Sequence, residues 1–156
     1  MKKLILDEML KNTAILLRIF GVDTAYFHPR NDTELIETAV KEGRILVTRD
    51  REVYVRCISK NIPSVLVEST DPVEQIRHII SVTGIELTFP EKTRCSICNV
   101  ELRKISQAEA YGHVPQDIIE KGGNFWICPS CNKAYWEGTH WKNIYYIYGK
   151  IMEKKE

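Results

Sequence analysis

Two pairs of cysteines constrain the fold of this chain more than any other feature of its sequence. The pairs are Cys95/Cys98 and Cys128/Cys131, with two residues inside each pair and 29 residues between the pairs. Two intervening residues allow one tight turn to present both sulfur atoms to the same tetrahedral ion. Two such turns complete a four-cysteine site, and we therefore expect structural Zn²⁺ in this part of the chain.

The residues around the cysteines favour a metal over the alternatives. Asn99 and Asn132 directly follow the two pairs, where such a turn needs positive φ, and Asn is the best residue for this after Gly. Disulfides are one alternative, but the first residues resemble a signal peptide for only three apolar positions, which predicts a cytoplasmic protein with reduced thiols. Iron in a rubredoxin-like site is a second alternative that the sequence leaves open. A segment of about 60 residues needs such a staple to fold, so the metal is predicted to be structural.

Composition divides the chain of 156 residues near Pro90. Four of the five cysteines and nine of the 14 aromatic residues lie in the last 66 residues. We therefore expect two differently built domains, residues 1–90 and residues 91–156. The net charge of +1 excludes a purely electrostatic nucleic-acid binder but allows a local basic surface. No apolar run approaches the ~20 residues of a membrane span, so no membrane partner is expected.

The first domain alternates short β-type runs with helical segments. The predicted strands are 3–6, 22–27, 44–48 and 64–67, and the predicted helices are 8–20, 31–42, 50–60 and a segment that starts at 71. Such alternation is typical of βαβ units and a mostly parallel sheet. The predicted fold class is therefore α/β, with a mostly parallel sheet flanked by helices and followed by a small four-cysteine zinc ribbon.

Four acids occupy the predicted strand-to-helix connections, namely Asp7, Asp32, Asp50 and Asp71. In a parallel sheet these connections lie at the carboxyl edge, where ligands bind. Asp is also a preferred helix N-cap, and capping is the better account of Asp71 because Pro72 follows it. Asp7 and Asp50 each have a second acid close by, and clustered acids repel one another unless a cation or proton intervenes. The pattern predicts a rim site for Mg²⁺ or Mn²⁺.

Five segments of the chain resemble the Mut-seven C-terminal RNase domain family, which joins a PIN-like domain to a cysteine ribbon. They are LILDEML at 4–10, DTELI at 32–36, ILVTRDRE at 45–52, NFWIC at 124–128 and AYWEGTHW at 134–141. The resemblance covers nearly the whole chain. It implies a PIN-like fold for the first domain and a ribonuclease activity for the protein.

The resemblance also implies which acids hold the catalytic metal. These acids are Asp7, Asp32 and Asp50, with Glu52 as a fourth candidate. A further acid of the PIN pattern, between the first and second of these, has no clear match here. The metal site is therefore either incomplete or completed by other acids, for which the candidates are Glu8, Glu34 and Glu52.

The implied reaction is metal-assisted hydrolysis of RNA phosphodiester bonds. In this mechanism Asp7 and Asp50 ligate one or two Mg²⁺ or Mn²⁺ ions, and Asp32 completes the site or orients the attacking water. Three basic residues lie near enough in sequence to contact flanking phosphates, namely Lys11, Arg49 and Arg51. Solvated surface charge explains each of these basic residues equally well.

The aromatic residues of the ribbon have two interpretations. Trp126, Trp136 and Trp141 are able to stack on unpaired RNA bases, with His140 contacting phosphate. Alternatively the rings form the ribbon's core and its contact with the first domain, which is the more economical interpretation because so small a unit has few aliphatic side chains to bury. The tail from Ile144 to Glu156 is predicted to be a short amphipathic helix with a frayed end.

Three functions are consistent with these patterns. The leading hypothesis is a metal-dependent ribonuclease whose zinc ribbon assists RNA binding. The second is a non-catalytic RNA- or protein-binding module in which the acids mostly cap helices. The third is an accessory subunit that docks on RNA-processing or ribosome-associated proteins. The expected partner in the leading hypothesis is RNA, and the sequence does not indicate an oligomeric state.

Overall fold

The computed structural model describes residues 1–26 and 28–153. The first part consists of β1 (Leu4–Leu6), a 3-10 helix (Glu8–Leu10), α1 (Lys11–Ile19), β2 (Thr24–Tyr26), α2 (Asp32–Glu42), β3 (Ile45–Thr48), α3 (Arg51–Ser59), β4 (Ser64–Leu66) and α4 (Pro72–Thr83). The four strands form one sheet in the order β2-β1-β3-β4, and every neighbouring pair is parallel. The predicted α/β class is confirmed.

Alternate side chains of β1 pack against two different layers of helices, one on each face of the sheet. Successive strand side chains point to opposite faces of a sheet. Leu4 and Leu6 pack in a core with buried residues of α1 and α4, whereas Ile5 packs in a second core with buried residues of α2 and α3. Cys57 of α3 is fully buried in that second core, as expected for a small apolar residue. The sheet is therefore covered on both faces, as parallel sheets are.

Side-chain caps explain where the helices begin. Asn31 accepts a hydrogen bond from the Glu34 N–H before α2, and Asp71 accepts one from the Val73 N–H before α4. The segment predicted as a helix over 8–20 is a 3-10 turn followed by α1. The strand predicted over 22–27 is shorter, Thr24–Tyr26, and its predicted last residue, Phe27, lies outside the described residues.

The second part forms a small antiparallel sheet with two short helices and one long helix. Its elements are β5 (Arg103–Ile105), α5 (Gln107–Ala110), α6 (Gln116–Glu120), β6 (Phe125–Ile127), β7 (Ala134–Trp136) and α7 (Thr139–Met152). The strand order is β5-β6-β7, with both pairs antiparallel. A compact apolar cluster on one face of this sheet includes Ile105, Ile119 and Phe125.

The C-terminal helix is longer than the sequence pattern predicted. Its predicted start at Ile144 is wrong by five residues, because α7 begins at Thr139 and includes Trp141. Trp141, Ile144 and Ile151 are its buried residues. Their spacings of three and seven put them on one helix face, so the apolar face of α7 starts earlier than the predicted tail. Residues 154–156, the predicted frayed end, lie outside the described residues.

The largest apolar core connects the two parts of the chain. It contains Phe20 of the first part together with Trp126, Trp141 and Ile144 of the second part. Phe89 contacts the ring of Trp141 at 5.3 Å and that of Tyr148 at 5.5 Å between centroids. The α7 helix therefore returns to the first part and packs beside α4. The division into residues 1–90 and 91–156 stays a prediction. No helix among the described residues has the length and apolar character that crossing a bilayer requires.

Candidate active site and metal centre

The four cysteines of the two pairs converge on one point. The sulfur atoms of Cys95, Cys98, Cys128 and Cys131 all lie within 4.8 Å of one another. The Sγ atoms of Cys95 and Cys131 are 3.8 Å apart. A tetrahedral ion with Zn–S bonds of about 2.3 Å separates its sulfur ligands by about 3.8 Å. The donor set and its spacing therefore fit a tetrahedral metal such as zinc.

The two turns that present the cysteines have the predicted backbone geometry. Asn99 has φ 61° and Asn132 has φ 63°, which confirms the prediction of positive φ after each pair. The N–H groups of Cys98 and Cys131 point to the sulfur of the first cysteine in their pair, at 3.4 and 3.5 Å. Such N–H groups stabilise negative charge on the sulfur, which is the form that binds a metal.

Hydrogen bonding and burial shift the pKa values of the thiols in different directions. Burial alone would raise the pKa of Cys95, but hydrogen bonds from the Tyr135 hydroxyl and from the Cys98 and Ile97 N–H groups outweigh it and lower that pKa to about 7. The pKa of Cys98 is raised to about 12, mainly because the Cys98 thiol is hydrogen-bonded to Cys131. Burial raises the pKa of Cys128. A divalent cation favours the thiolate form at every sulfur, so metal binding here releases protons.

The first cysteine turn is hydrogen-bonded to the first part of the chain. The buried side chain of Arg18 in α1 donates to the carbonyl oxygen of Ser96 at 2.8 Å and to that of Thr24 at 2.8 Å. Asn99 accepts a hydrogen bond from the Thr24 N–H at 3.1 Å and donates one to Asp23 at 2.7 Å. The turn that presents two of the metal ligands is thus held against the amino-terminal end of β2.

The carboxyl ends of β1 and β3 meet where the strand order reverses. From β1 the chain crosses to β2 on one side, and then to β3 and β4 on the other. Ligands of parallel α/β sheets bind in the crevice outside such a switch point. Asp7 follows β1 at this place, and Thr48, Arg49 and Asp50 end or follow β3. Two of the predicted acids therefore share this edge.

A threonine links these two acids. The Thr48 hydroxyl donates to Oδ2 of Asp7 at 2.6 Å and accepts from the Asp50 N–H at 2.9 Å. The Arg49 N–H lies 3.4 Å from the same Asp7 oxygen, and the Met9 N–H donates to Oδ1 at 3.0 Å. Asp7 is only 8% exposed, so this network fixes a buried carboxylate at the switch point. Sequence analysis missed this role of Thr48. Its position at the end of a β-rich run, at the predicted carboxyl edge of the sheet, was the available signal.

Asp50, Asp32 and Glu52 are placed differently from Asp7. Asp50 is exposed and caps α3, because its Oδ1 accepts from the Glu52 N–H at 2.8 Å. Asp32 is an exposed residue in the first turn of α2, and Glu52 is an exposed residue in the first turn of α3. Within residues 1–26 and 28–153, the four cysteines are the only group of three or more ligand residues whose donor atoms converge within 4.8 Å. The acids do not form such a group.

The five predicted RNA-contacting residues divide between two places. Lys11, Arg49 and Arg51 lie by the switch point, where Lys11 is exposed and Arg51 pairs with Glu68 at 2.7 Å. Nε of Arg49 is buried and has no hydrogen-bond partner among the described residues. Trp136 instead ends β7 of the ribbon sheet, His140 lies in the first turn of α7, and both residues line a cavity.

A second polar pair, which sequence analysis also missed, lies at the same edge of the sheet. His28 follows β2, and its Nδ1 lies 2.6 Å from a carboxylate oxygen of Glu8, the residue after Asp7. The Tyr26 hydroxyl donates to the Glu8 carbonyl oxygen at 3.2 Å. Both members of the pair are largely exposed, with side-chain exposures of 76% and 56%. Three strand ends thus contribute ionisable groups to one edge.

These observations define a class of protein. It is a small α/β protein whose parallel sheet carries acidic and basic side chains at its switch point and whose second part carries a cluster of four cysteines that could hold a metal. The chain belongs to the Mut7-C RNAse domain family, whose model matches residues 2–148. Family membership indicates a ribonuclease-like role. Comparisons with curated proteins and with solved structures gave no match.

Proposed function

We propose that the protein is a metal-dependent ribonuclease that hydrolyses RNA phosphodiester bonds at the switch point of its parallel sheet. The observation that carries this proposal is the buried carboxylate of Asp7, held by Thr48 and joined through it to Asp50. A buried carboxyl group must be hydrogen-bonded or paired, and this one lies at the edge of the sheet where ligands bind. Family membership supports the same reaction class.

The chemistry of the donor set fits Mg²⁺ or Mn²⁺. Mg²⁺ retains several waters and takes one or two carboxylates plus substrate phosphates, so it does not require three converging acids. Asp7 and Asp50 supply two carboxylates, and Oδ2 of Asp50 accepts no hydrogen bond among the described residues. When bound at these residues, the ion supplies Lewis-acid chemistry that lowers the pKa of a water and neutralises charge on the phosphate.

The chain's own groups position the substrate and the water. The network around Asp7 holds its carboxylate in one orientation before substrate binds, which avoids reorganisation during the reaction. Lys11 follows the end of β1 and Arg49 and Arg51 follow the end of β3, so these three side chains supply positive charge for flanking phosphates in this proposal. In this proposal Asp32 orients the attacking water. Glu52, in the first turn of α3, is an additional candidate ligand. Structural Zn²⁺ in the four-cysteine site keeps the ribbon folded beside α1.

Cleavage of RNA by matched variants tests the proposal. Wild-type protein, Asp7→Asn and Asp71→Asn are incubated with labelled single-stranded and hairpin RNAs in Mn²⁺ or Mg²⁺. Asp71 is the control because it also caps a helix after a strand of the same sheet, and Asn at this position removes the charge of a capping residue without touching the switch point. We expect cleavage by wild type and Asp71→Asn, and a loss of at least about 100-fold in Asp7→Asn. Equal activity in all three, or none in any across both RNA types, would overturn the proposal.

The second candidate function is a non-catalytic RNA- or protein-binding module. The observation that favours it is the capping role of the acids, since Asp7 caps the 3-10 helix and Asp50 caps α3. In that case the protein binds RNA or a protein of an RNA-processing assembly but cleaves nothing. Metal-dependent cleavage that is lost in Asp7→Asn would exclude it.

A further inference from the structure

A cavity of about 270 Å³ lies where the ribbon meets the first part of the chain. Its walls come from α1, from the first cysteine turn, from β7 and from the first turns of α7. The volume falls just below the ~300–1,000 Å³ of sites for drug-sized molecules. An occupant of this cavity is therefore a single ring system rather than a folded or extended ligand.

The aromatic walls of the cavity are held in place by contacts with neighbouring residues. The Tyr135 hydroxyl accepts a hydrogen bond from the Ser96 N–H at 3.1 Å and lies 3.1 Å from Sγ of Cys95. Trp141 stacks on Trp126, with centroids 5.1 Å apart and planes 18° from parallel. Trp136 lies so close to Gly138 that a Cβ there would sit 3.2 Å from its Nε1. Fixed rings lose little entropy when a flat ligand packs on them.

The mouth of the cavity is positively charged. The Lys133 ammonium lies 5.2 Å from the centroid of the Tyr135 ring, and exposed His140 also lines the cavity. Gly138 precedes α7 and has no side chain, and among the described residues no side chain caps the first N–H groups of this helix. These groups favour an anion beside the flat, apolar interior. A nucleotide joins a flat ring to an anionic phosphate and so matches both features, whereas an apolar protein side chain matches only the apolar interior.

One helix leads from the acidic edge to the cavity. Lys11, Ile15 and Ile19 are spaced by four residues along α1, so they lie on one helix face about 6 Å apart along its axis. Lys11 begins the helix that directly follows Asp7 and its 3-10 turn, while Ile15 and Ile19 line the cavity. A strand with its phosphodiester at Asp7 is therefore able to follow α1 to the cavity within a few nucleotides.

We propose that this cavity binds one unpaired base of single-stranded RNA between its aromatic walls, with the adjoining phosphate near Lys133, His140 and the first turn of α7. The inference rests on the proposed function in that it takes RNA as the ligand. It adds a base-binding subsite away from the acidic edge. It also makes single-stranded RNA, rather than a perfect duplex, the preferred substrate, because only an unpaired base is free to enter the cavity.

Binding measurements on a protein that does not cleave test this subsite separately from the reaction. Zinc-loaded Asp7→Asn is titrated, with tryptophan fluorescence as the readout, against a single-stranded RNA hexamer and an abasic hexamer that has the same phosphates. We expect the RNA hexamer to quench the fluorescence and to bind about tenfold or more tightly than the abasic one, because stacking acts on the base. Equal affinities for the two oligomers, or no binding of either, would overturn the proposal.

Side-chain variants locate the effect in the cavity. In the Asp7→Asn background, Trp136→Leu should abolish the preference for the RNA hexamer, whereas Trp136→Phe should retain most of it. His140→Ala should weaken binding about threefold to tenfold, and His113→Ala, an exposed histidine outside the cavity, should not. Circular dichroism will show whether Trp136→Leu is folded. Because His140 is exposed, His140→Ala remains informative if Trp136→Leu is not. A base preference that survives Trp136→Leu, or an RNA affinity that is unchanged in His140→Ala, would contradict the cavity as the binding site.

The two proposals fail in different ways. If the hexamer binds with base preference but wild-type protein cleaves no RNA, the subsite stands and the ribonuclease proposal fails. If wild-type protein cleaves RNA but the base preference is missing, the ribonuclease proposal stands and the subsite fails. If the protein captures a protein partner but shows no detectable RNA binding, both proposals are contradicted.

Discussion

Thr48 is the residue on which the geometry of the acidic edge depends. Its hydroxyl donates to Asp7 and accepts from the Asp50 N–H, and no other side chain among the described residues hydrogen-bonds to the Asp7 carboxylate. Thr48 itself is fully buried at the end of β3. Asp7 and Thr48 are 41 positions apart in the sequence, so only the pairing of β1 with β3 brings them together.

We expect Thr48→Val to lower RNA cleavage about 10–100-fold, as loss of a group that orients a catalytic carboxylate typically does. Valine has nearly the same shape, so the core of the sheet keeps its packing. Thr48→Ser retains the hydroxyl and should keep most of the activity. The measurement is kcat and KM separately, beside the melting temperature. A fall in melting temperature without any change in kcat would mean that Thr48 has only a structural role.

A second residue-scale prediction concerns Asp23, whose carboxylate faces the first cysteine turn. Burial alone would raise the pKa of Asp23, but hydrogen bonds from Arg44 at 2.8 Å and Asn99 at 2.7 Å outweigh it and lower the pKa below its usual 3.8. The folded state therefore binds fewer protons than the unfolded state. The resulting stabilisation is complete above the unfolded pKa and is lost as the pH falls through the lower folded pKa.

Asp23→Asn should accordingly cost about 1.5–3 kcal/mol of unfolding free energy at pH 7, the range for hydrogen bonds to charged groups. The difference from wild type should shrink as the pH falls below about 4. Glu42→Gln is the matched control, because Glu42 pairs with the same Arg44 but its side chain is 42% exposed. Urea unfolding at several pH values is the measurement. A difference that is constant down to about pH 2.5 would show that the charge of Asp23 is not its cause.

At the scale of elements, the cysteine turns connect metal binding to the parallel sheet. Arg18 of α1 and Thr24 of β2 are both hydrogen-bonded to the turn that contains Cys95 and Cys98. The sulfur atoms of the other turn converge with those of this one, so a metal held by all four would join the two turns. Loss of the metal should therefore loosen the edge of the sheet as well as the ribbon.

We expect one zinc ion per chain in the reduced protein by elemental analysis, and a lower melting temperature after chelation. Hydrogen exchange should show faster exchange of the Thr24 amide, which donates to Asn99, than of amides in β4 at the opposite edge. Absence of stoichiometric metal from reduced protein would contradict the zinc site. Unchanged protection of Thr24 after metal removal would contradict the coupling to the sheet.

Elements were predicted well where local chemistry determines them. The cap at Asp71 and the positive φ at Asn99 and Asn132 depend on a few neighbouring residues, and all three are confirmed. The start of α7 was placed wrongly because Trp141 was assigned to the ribbon, although its ring belongs to the apolar face of the helix. That choice depends on what the helix packs against, which the local pattern does not contain.

At the scale of the whole molecule, the two parts share their main apolar core. Ile144 of α7 is 3% exposed in the same cluster as Phe20 and Phe89. The composition of the two halves differs, and so do their sheets, yet α7 closes one face of the first part beside α4. Because both parts contribute to one core, we expect them to unfold in a single cooperative transition.

Ile144→Ala should destabilise the protein by about 2–4 kcal/mol because it leaves a cavity in this shared core. Tyr146→Ala, at a position that is 67% exposed on the same helix, should change stability by less than about 0.5 kcal/mol. Tryptophan fluorescence and far-ultraviolet circular dichroism in urea should give one coincident transition. Two separated transitions would instead support residues 1–90 and 91–156 as independently folding domains.

By itself, the sequence determined the alternation of strands and helices, the helix caps and the two cysteine turns, because each of these depends on residues within a few positions of one another. Tertiary structure decided which ionisable groups meet. It joined Asp7 to Thr48 across β1 and β3, left Asp32 out of any converging group with them, and formed an aromatic cavity between α1 and the ribbon. Such contacts depend on strand order and on the packing of α7, which bring together side chains that are distant in the sequence.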